Sequence, residues 1–209
     1  MKVIDLYCGM GGWVQAFPKE WDVTGYDVMD FSKEYQGKFV QCDLLEYNGF
    51  PEHPDLIVAS PPCTEFSKAS MPKSWACNRK EPDIDMGVKL FSRAQEIIKD
   101  LQPEWWIIEN VRGSQKYMGK ADMHIGSRYL WTNMEIRGAH IDDVKKSWLP
   151  PSKNRPALRA MIPYGLSALV VQAMKGVFAT SIYTQITGMD TNQFMENNEM
   201  NQKINIRRI

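Results

Sequence analysis

The sequence predicts an α/β fold, a mostly parallel sheet with helices on both faces. Three observations predict it. Short, nearly continuous apolar runs recur along the first half of the 209-residue chain. Each run gives way to glycine, proline or an acid. One long amphipathic stretch separates two of the runs. Continuous apolar runs suit strands buried on both sides, and such strands joined through helices make a parallel sheet with right-handed crossovers.

Lys2–Leu6 is a β-branched apolar run that contains Asp5 and leads into Gly9, Gly11 and Gly12. Trp13–Phe17 reads as a helix start stopped by Pro18. The opening unit is thus strand, glycine loop, helix. Asp22–Tyr26 reads as a second strand ending at Asp27, and Lys38–Gln41 as a third ending at Asp43. Asp55–Ala59 is a buried strand that stops at Ser60-Pro61-Pro62, where proline removes a ladder donor. Residues 63–85, with Ser67, Ser70, Pro72, Ser74 and Pro82, read as one long mobile loop. A loop of that length inside a domain is usually functional. A helix follows from about Asp83 to Leu101, with Val88, Phe91, Ala94, Ile98 and Leu101 forming one apolar stripe before Pro103. Trp105–Ile108 is another buried strand, closing on Glu109 and Asn110. Further on, Tyr129–Asn133 and Glu135–Arg137 read as short strands, and Leu166–Met174 as an apolar helix. The tail from Gly176 is polar and rich in asparagine. The expected organisation is one domain over 1–175 and an accessory tail over 176–209.

Composition narrows the function. The formal net charge is zero, which does not advertise a polyanion partner. The distribution is uneven. Residues 19–55 hold nine acids (Glu20, Asp22, Asp27, Asp30, Glu34, Asp43, Glu46, Glu52, Asp55) against three bases (Lys19, Lys33, Lys38), so the later chain carries the compensating excess of base. That asymmetry suits a later half that faces phosphate, and it also arises on surfaces with no such partner. Cys8, Cys42, Cys63 and Cys77 show no Cys-x-x-Cys spacing. They predict no disulfide framework, no metal site and a reducing compartment. No apolar run reaches the roughly 20 residues of a membrane span, and the first residues predict no signal peptide.

Ligands of parallel sheets bind beyond the carboxyl ends of the strands. Asp5, Tyr7, Asp27, Asp43, Cys63 and Glu109 all close or follow a predicted strand. The glycine loop allows close backbone approach to a ligand, although Gly-x-Gly is shared with many tight turns. Asp27 suits two ribose hydroxyls; as a lone acid it equally suits a loop cap, and so does Asp43. Pro61 and Pro62 stiffen the backbone that presents one thiol, which is what a nucleophile needs. The bland alternative is a buried structural cysteine. A free thiol has a pKa of about 8.5 and needs a positive neighbourhood or a helix N-terminus to ionise. Glu109, beside Trp105, Trp106 and Ile107, is expected to be partly desolvated and suited to hold a proton. The alternative is a helix cap.

These segments together resemble the cytosine C5-methyltransferase family. Asp5-Leu6-Tyr7-Cys8-Gly9-Met10-Gly11-Gly12 is similar to its first motif, Gly25-Tyr26-Asp27 to the second and Cys42-Asp43-Leu44 to the third. Ser60-Pro61-Pro62-Cys63-Thr64-Glu65-Phe66-Ser67 resembles the catalytic motif, and Glu109-Asn110-Val111 the catalytic-acid motif. Gly126-Ser127-Arg128-Tyr129-Leu130-Trp131 resembles a segment near the arginine motif of small phage members, and Arg159–Tyr164 with the following helix resembles the last motif. The likeness spans roughly 2–175 and implies a Rossmann-like class I methyltransferase fold.

The resemblance implies S-adenosylmethionine, or a close derivative, as cofactor. Asp5, Tyr7, Gly9, Gly11, Gly12, Asp27, Asp43, Leu44 and Pro61 would hold it, with Tyr7 and Asp43 at the adenine and Asp27 at the ribose. Cys63 would attack C6 of a cytosine, Glu109 would bind N3 and the amino group, and Arg128 would steady the base and loop. Ser67, Lys68 and Asn110 would face the substrate. The implied substrate is double-stranded DNA rather than RNA, with no membrane, in the cytoplasm of a prokaryote or phage-infected host, as in restriction-modification. The implied target-recognition region, about 133–158, is too short for the domain that larger members carry. A very short site, reading by the loop and tail, or a protein partner would answer for it. Val28 stands where many relatives place tryptophan, and one arginine replaces the usual pair. A tRNA cytosine methyltransferase, transfer of a modified group, and a non-catalytic binding module stay open as alternatives.

Overall fold

The computed structural model describes residues 1–70, 81–137 and 160–187, with 177–187 as backbone only. Seven strands form one sheet: β1 (Lys2–Leu6), β2 (Asp22–Asp27), β3 (Lys38–Gln41), β4 (Leu56–Ala59), β5 (Trp105–Asn110), β6 (Met123–Ile125) and β7 (Arg128–Thr132). Their order is β3-β2-β1-β4-β5-β7-β6. The first five run parallel, while β7 lies antiparallel between β5 and β6. Among the described residues the helices are α1 (Thr64–Ala69), α2 (Ile84–Leu101), α3 (Gln115–Met118) and α4 (Tyr164–Thr187), with 3-10 turns at Val14–Ala16 and Arg112–Ser114. The chain divides into two compact units, Met1–Leu169 and Val170–Ile209. Within the first lie the whole sheet and every candidate site residue.

The strands alternate their two faces. Ile4, Leu6, Ile57, Ala59 and Ile108 meet Phe91, Ala94, Ile97 and Ile98 of α2 in one buried cluster. Asp83 caps α2 by accepting from Met86 N, and Gln102 ends it in the left-handed conformation. Val3, Leu56, Val58 and Ile107 are buried on the opposite face. Asp5, which alternates with Ile4 and Leu6, meets Tyr35 there. Trp13 is buried, and its carbonyl accepts from the Ser167 hydroxyl at the start of α4.

The structure corrects several expectations. Trp13–Phe17 makes one 3-10 turn and no helix, because Pro18 has no N–H to carry it further. Residues 64–69 form α1 where one long loop was expected; Phe66 is wholly buried and anchors that turn. β6 was not foreseen, and Glu135–Arg137 is not a strand. α4 runs from Tyr164 to Thr187, longer at both ends than the expected Leu166–Met174. Lys73, Cys77, Arg79, Lys80 and Arg159, together with most of the 133–158 region, lie outside the described residues.

The glycine loop is locked to the segment before α4. A Cβ on Gly12 would stand 2.4 Å from the backbone nitrogen of Ile162. Gln15 Nε2 donates to both Gly12 O and Ile162 O, at 3.0 and 3.2 Å. Gly12→Ala is therefore expected to cost about 1–3 kcal/mol, as overpacking against unyielding backbone does. Urea unfolding of the variant and parent chains measures it.

Candidate active site

β1, β4 and β5 end side by side, and the candidate residues gather beyond them. Ser60 N continues the ladder to Leu6 O at 3.1 Å, and Trp13 Nε1 donates to Ser60 Oγ at 2.9 Å. Asn110, fully buried at the end of β5, donates from Nδ2 to the Pro61 carbonyl at 3.0 Å. Its Oδ1 accepts from Val111 N at 2.9 Å. The Pro61-Pro62 segment is thereby strapped to the strand that carries Glu109. Cys63 follows as the cap residue of α1. Glu65, in the first turn of α1, accepts from Lys68 Nζ at 2.7 Å and from Asp83 N at 2.8 Å, tying α1 to the start of α2.

Glu109 is 5% exposed, and its Oε1 accepts from Arg128 Nη1 at 3.2 Å. Arg128 Nη2 donates to Met161 O at 3.3 Å. Strand register explains the meeting. β7 returns antiparallel beside β5 with Asn110 opposite Tyr129, so Arg128, one residue earlier, starts β7 at the site edge. Burial pushes the Cys63 thiol above its usual pKa, and the Glu109 carboxylate pushes it further. A hydrogen bond from Ser67 and the Arg128 charge pull the other way. The thiol, carboxyl and guanidinium thus share one electrostatic neighbourhood. The two aids to ionisation named from the sequence, a helix start and a positive neighbour, are both present at Cys63, yet burial and Glu109 outweigh them.

The second cluster surrounds the glycine loop. Tyr7 and Gly9 hold positive φ values of +56° and +51°. A Cβ on Gly9 would meet nothing within 4 Å, so open space lies over the loop. Asp27 closes β2 with both oxygens in use: Oδ2 accepts from Gly9 N and Oδ1 from Met29 N, each at 2.9 Å. Each oxygen keeps a lone pair for a further donor. Val28 and Met29, each 62% exposed, form an apolar shelf beside it. Asp43 Oδ1 accepts from Leu45 N at 2.9 Å. The Tyr7 hydroxyl donates to Leu90 O of α2 at 2.7 Å, which fixes its ring. An open glycine loop, an acid at the end of β2 and adjoining apolar surface fit a nucleoside-bearing sulfonium cofactor.

Other residues expected to touch ligand support the site from beneath. Asp5 is fully enclosed; its Oδ2 accepts from Tyr35 OH at 3.1 Å, and burial raises its pKa well above the carboxylate range. Leu44 is buried in the core, and its carbonyl accepts from Arg93 Nε. Gly12 faces Ile162, Lys68 is paired with Glu65, and the Asn110 amide is spent on the Pro61 strap. Two contributors escaped sequence reading. Tyr35 had no local signal, its partner being thirty positions away. Arg93 looked like a solvated helix residue, yet it donates to Leu44 O, Tyr47 O and Asn48 Oδ1 at 2.8, 2.9 and 2.7 Å, clamping the Asp43 loop to α2. Among the described residues no group of His, Cys, Asp and Glu is placed to hold a metal, and no helix is long and apolar enough to cross a membrane.

Known proteins resemble the first part of the chain. The family described as C-5 cytosine-specific DNA methylase matches residues 1–123. The Type II methyltransferase M.AplI of Arthrospira platensis is 32% identical over 119 residues, 54% of this chain and 32% of that protein. The Type II methyltransferase M.SacI of Streptomyces achromogenes is 35% identical over 73 residues, 34% of this chain and 18% of its own length. The chain thus spans about a third or less of these relatives. Among solved structures, the methyltransferase EhMeth of Entamoeba histolytica matches 74% of this chain and 64% of its own, with 15% identity and a TM-score of 0.41.

Proposed function

Because this chain belongs to the C-5 cytosine-specific DNA methylase family, we propose that it transfers a methyl group to C5 of a cytosine in duplex DNA through a covalent bond to Cys63. The observation that carries this reading is the convergence of the Cys63 thiol, the Glu109 carboxyl and the Arg128 guanidinium beyond β4 and β5. A structural cysteine has no use for a buried ion pair beside it.

The target base must first leave the helix, at a cost of a few kcal/mol in stacking and pairing. Cys63 Sγ then forms a bond to C6 as its proton passes to solvent water, and the C5–C6 π pair moves toward C5. Glu109 accepts from the exocyclic amino group and holds a proton at N3, so charge does not build up on the ring. Arg128 keeps the Glu109 carboxyl in place and ties it to the Met161 carbonyl. S-adenosylmethionine, when bound, supplies an electrophilic methyl group. The electron-rich C5 would accept that methyl, the S–C bond pair staying with the departing sulfur. Water then removes the C5 proton, the C5–C6 double bond re-forms, and Cys63 leaves as thiolate. On the cofactor side, Asp27 would receive the ribose hydroxyls, Gly9 would give the backbone room, and Asp43 would accept from the adenine amino group with Tyr7 nearby; Gly11 packs inward on Val14 and Tyr35. Ser67 steadies the developing thiolate through its hydrogen bond.

The pH dependence follows from the raised thiol. A group whose pKa lies above the ordinary value is protonated at neutral pH, so kcat/KM should rise as pH increases toward the alkaline side. Arg128→Gln removes a charge that lowers the Cys63 pKa and should move the profile to higher pH. Glu109→Gln removes a charge that raises it and should move the profile to lower pH. Profiles of the three chains on one DNA substrate measure both directions.

The function as a whole is tested by incubating the chain with S-adenosylmethionine and random-sequence duplex DNA, then sequencing at base resolution. Methyl groups at C5 of cytosine in a defined context are expected. Methylation of tRNA but not DNA, or of no nucleic acid at all, would overturn the reading.

A further inference from the structure

The uneven charge of the sequence becomes a spatial division across the sheet. The acidic stretch 19–55 supplies β2 and β3 at one edge. At the other edge, the segment from Arg112 to Arg128 holds four bases (Arg112, Lys116, Lys120, Arg128) against one acid, Asp122. Arg112, Lys116, Lys120 and His124 are exposed and make no ion pair among the described residues. Asp122, also exposed, turns a carboxylate oxygen onto Thr132 N at 2.9 Å.

These bases are mounted on the wall of the Cys63 site. Arg112 opens the 3-10 turn directly after Asn110-Val111. A Cβ on Gly113 would stand 2.2 Å from Ser70 Oγ and 3.0 Å from Phe66 O, so this turn lies hard against α1, the helix that Cys63 caps. Tyr117 stacks on Phe66 with ring centroids 5.7 Å apart, and Lys116 Nζ lies 5.4 Å from the Tyr117 centroid. His124 stacks on Tyr129 at 5.2 Å, and Tyr129 stands opposite Asn110 in the sheet. Lys116 and His124 therefore lie against packed rings, and Arg112 stands on a turn packed against α1, the helix that Cys63 caps.

We propose that Arg112 and Lys116, with His124 at the rim, form the surface that grips the phosphate backbone of the strand carrying the target cytosine. The proposal rests on the function proposed above and extends it to a DNA contact. A base delivered to Cys63 remains joined to the phosphates on either side of it. Those phosphates must pass the rim of the site, and the β6 side of the rim is the basic one. The acidic β3 edge would repel them.

The test is the salt dependence of duplex DNA binding by the full chain, comparing the parent with Arg112→Gln/Lys116→Gln and with Lys33→Gln on the acidic edge. Each lost phosphate contact lowers the slope of log K against log salt by about 0.9. The double variant should therefore bind more weakly with a slope smaller by roughly 1.8, and its KM for DNA should rise with kcat and cofactor affinity unchanged. Lys33→Gln should match the parent. A parental slope in the double variant, while the parent methylates DNA normally, would overturn the phosphate surface alone. A parent that neither binds nor methylates duplex DNA would overturn this proposal and the function beneath it. A slope change seen on an RNA hairpin but not on the duplex would overturn the commitment to DNA.

Discussion

Cys63→Ala is expected to abolish methyl transfer, by on the order of 10⁴-fold or more, as removal of a nucleophile does. Cofactor and DNA binding should persist. The reason is structural. Cys63 caps a short helix whose position does not depend on the thiol. Phe66 is wholly buried, Glu65 is tied to Asp83 N, and Asn110 holds the Pro61 carbonyl. Alanine at position 63 should leave these contacts in place, so the fold and the cofactor loop should survive. Cofactor affinity by calorimetry and the thermal midpoint serve as controls. A variant that retains transfer, or that loses cofactor binding together with activity, would place the chemistry elsewhere.

The second large effect is expected from Glu109→Gln. A positioned acid contributes roughly 10²–10⁴-fold to a proton-dependent step, and kcat should fall by that order while the dissociation constant of the cofactor stays unchanged. Glutamine keeps an oxygen for Arg128, so the guanidinium is not left without an acceptor in a buried place, a change that would otherwise cost several kcal/mol. The split between kcat and cofactor binding is the informative part. Loss of both to the same extent would show that Glu109 serves the fold. Single-turnover rates with calorimetric binding separate the two.

The sequence made the strand ends legible because the parallel strands are continuous apolar runs, and each run stops where the site begins. Asp27 at the end of β2, Cys63 after β4 and Glu109 in β5 could be placed for that reason. Arg128 was legible only through family resemblance. Its meeting with Glu109 depends on β7 returning antiparallel beside β5, a pairing across nineteen positions that no local pattern announces. α1 was hidden because a six-residue helix has almost no periodicity; Phe66 and the Glu65–Asp83 bond hold it from outside. The uses of Tyr35 and Arg93 were hidden likewise, since both act across the fold on loops far away in sequence. Asp5 reads in sequence as part of a cofactor motif, yet the structure encloses it under the glycine loop. A motif shows which residues belong together without showing which of them face the ligand.

The most direct measurement of the central claim is a trapping experiment. The chain is mixed with S-adenosylmethionine and duplex DNA carrying 5-fluorocytosine, a base whose C5 fluorine cannot leave as the proton does. A denaturation-resistant protein–DNA complex, lost in Cys63→Ala and mapped by peptide mass spectrometry to Cys63, is the predicted result. Cofactor bound normally with no covalent complex, or a complex that survives the loss of Cys63, would contradict it.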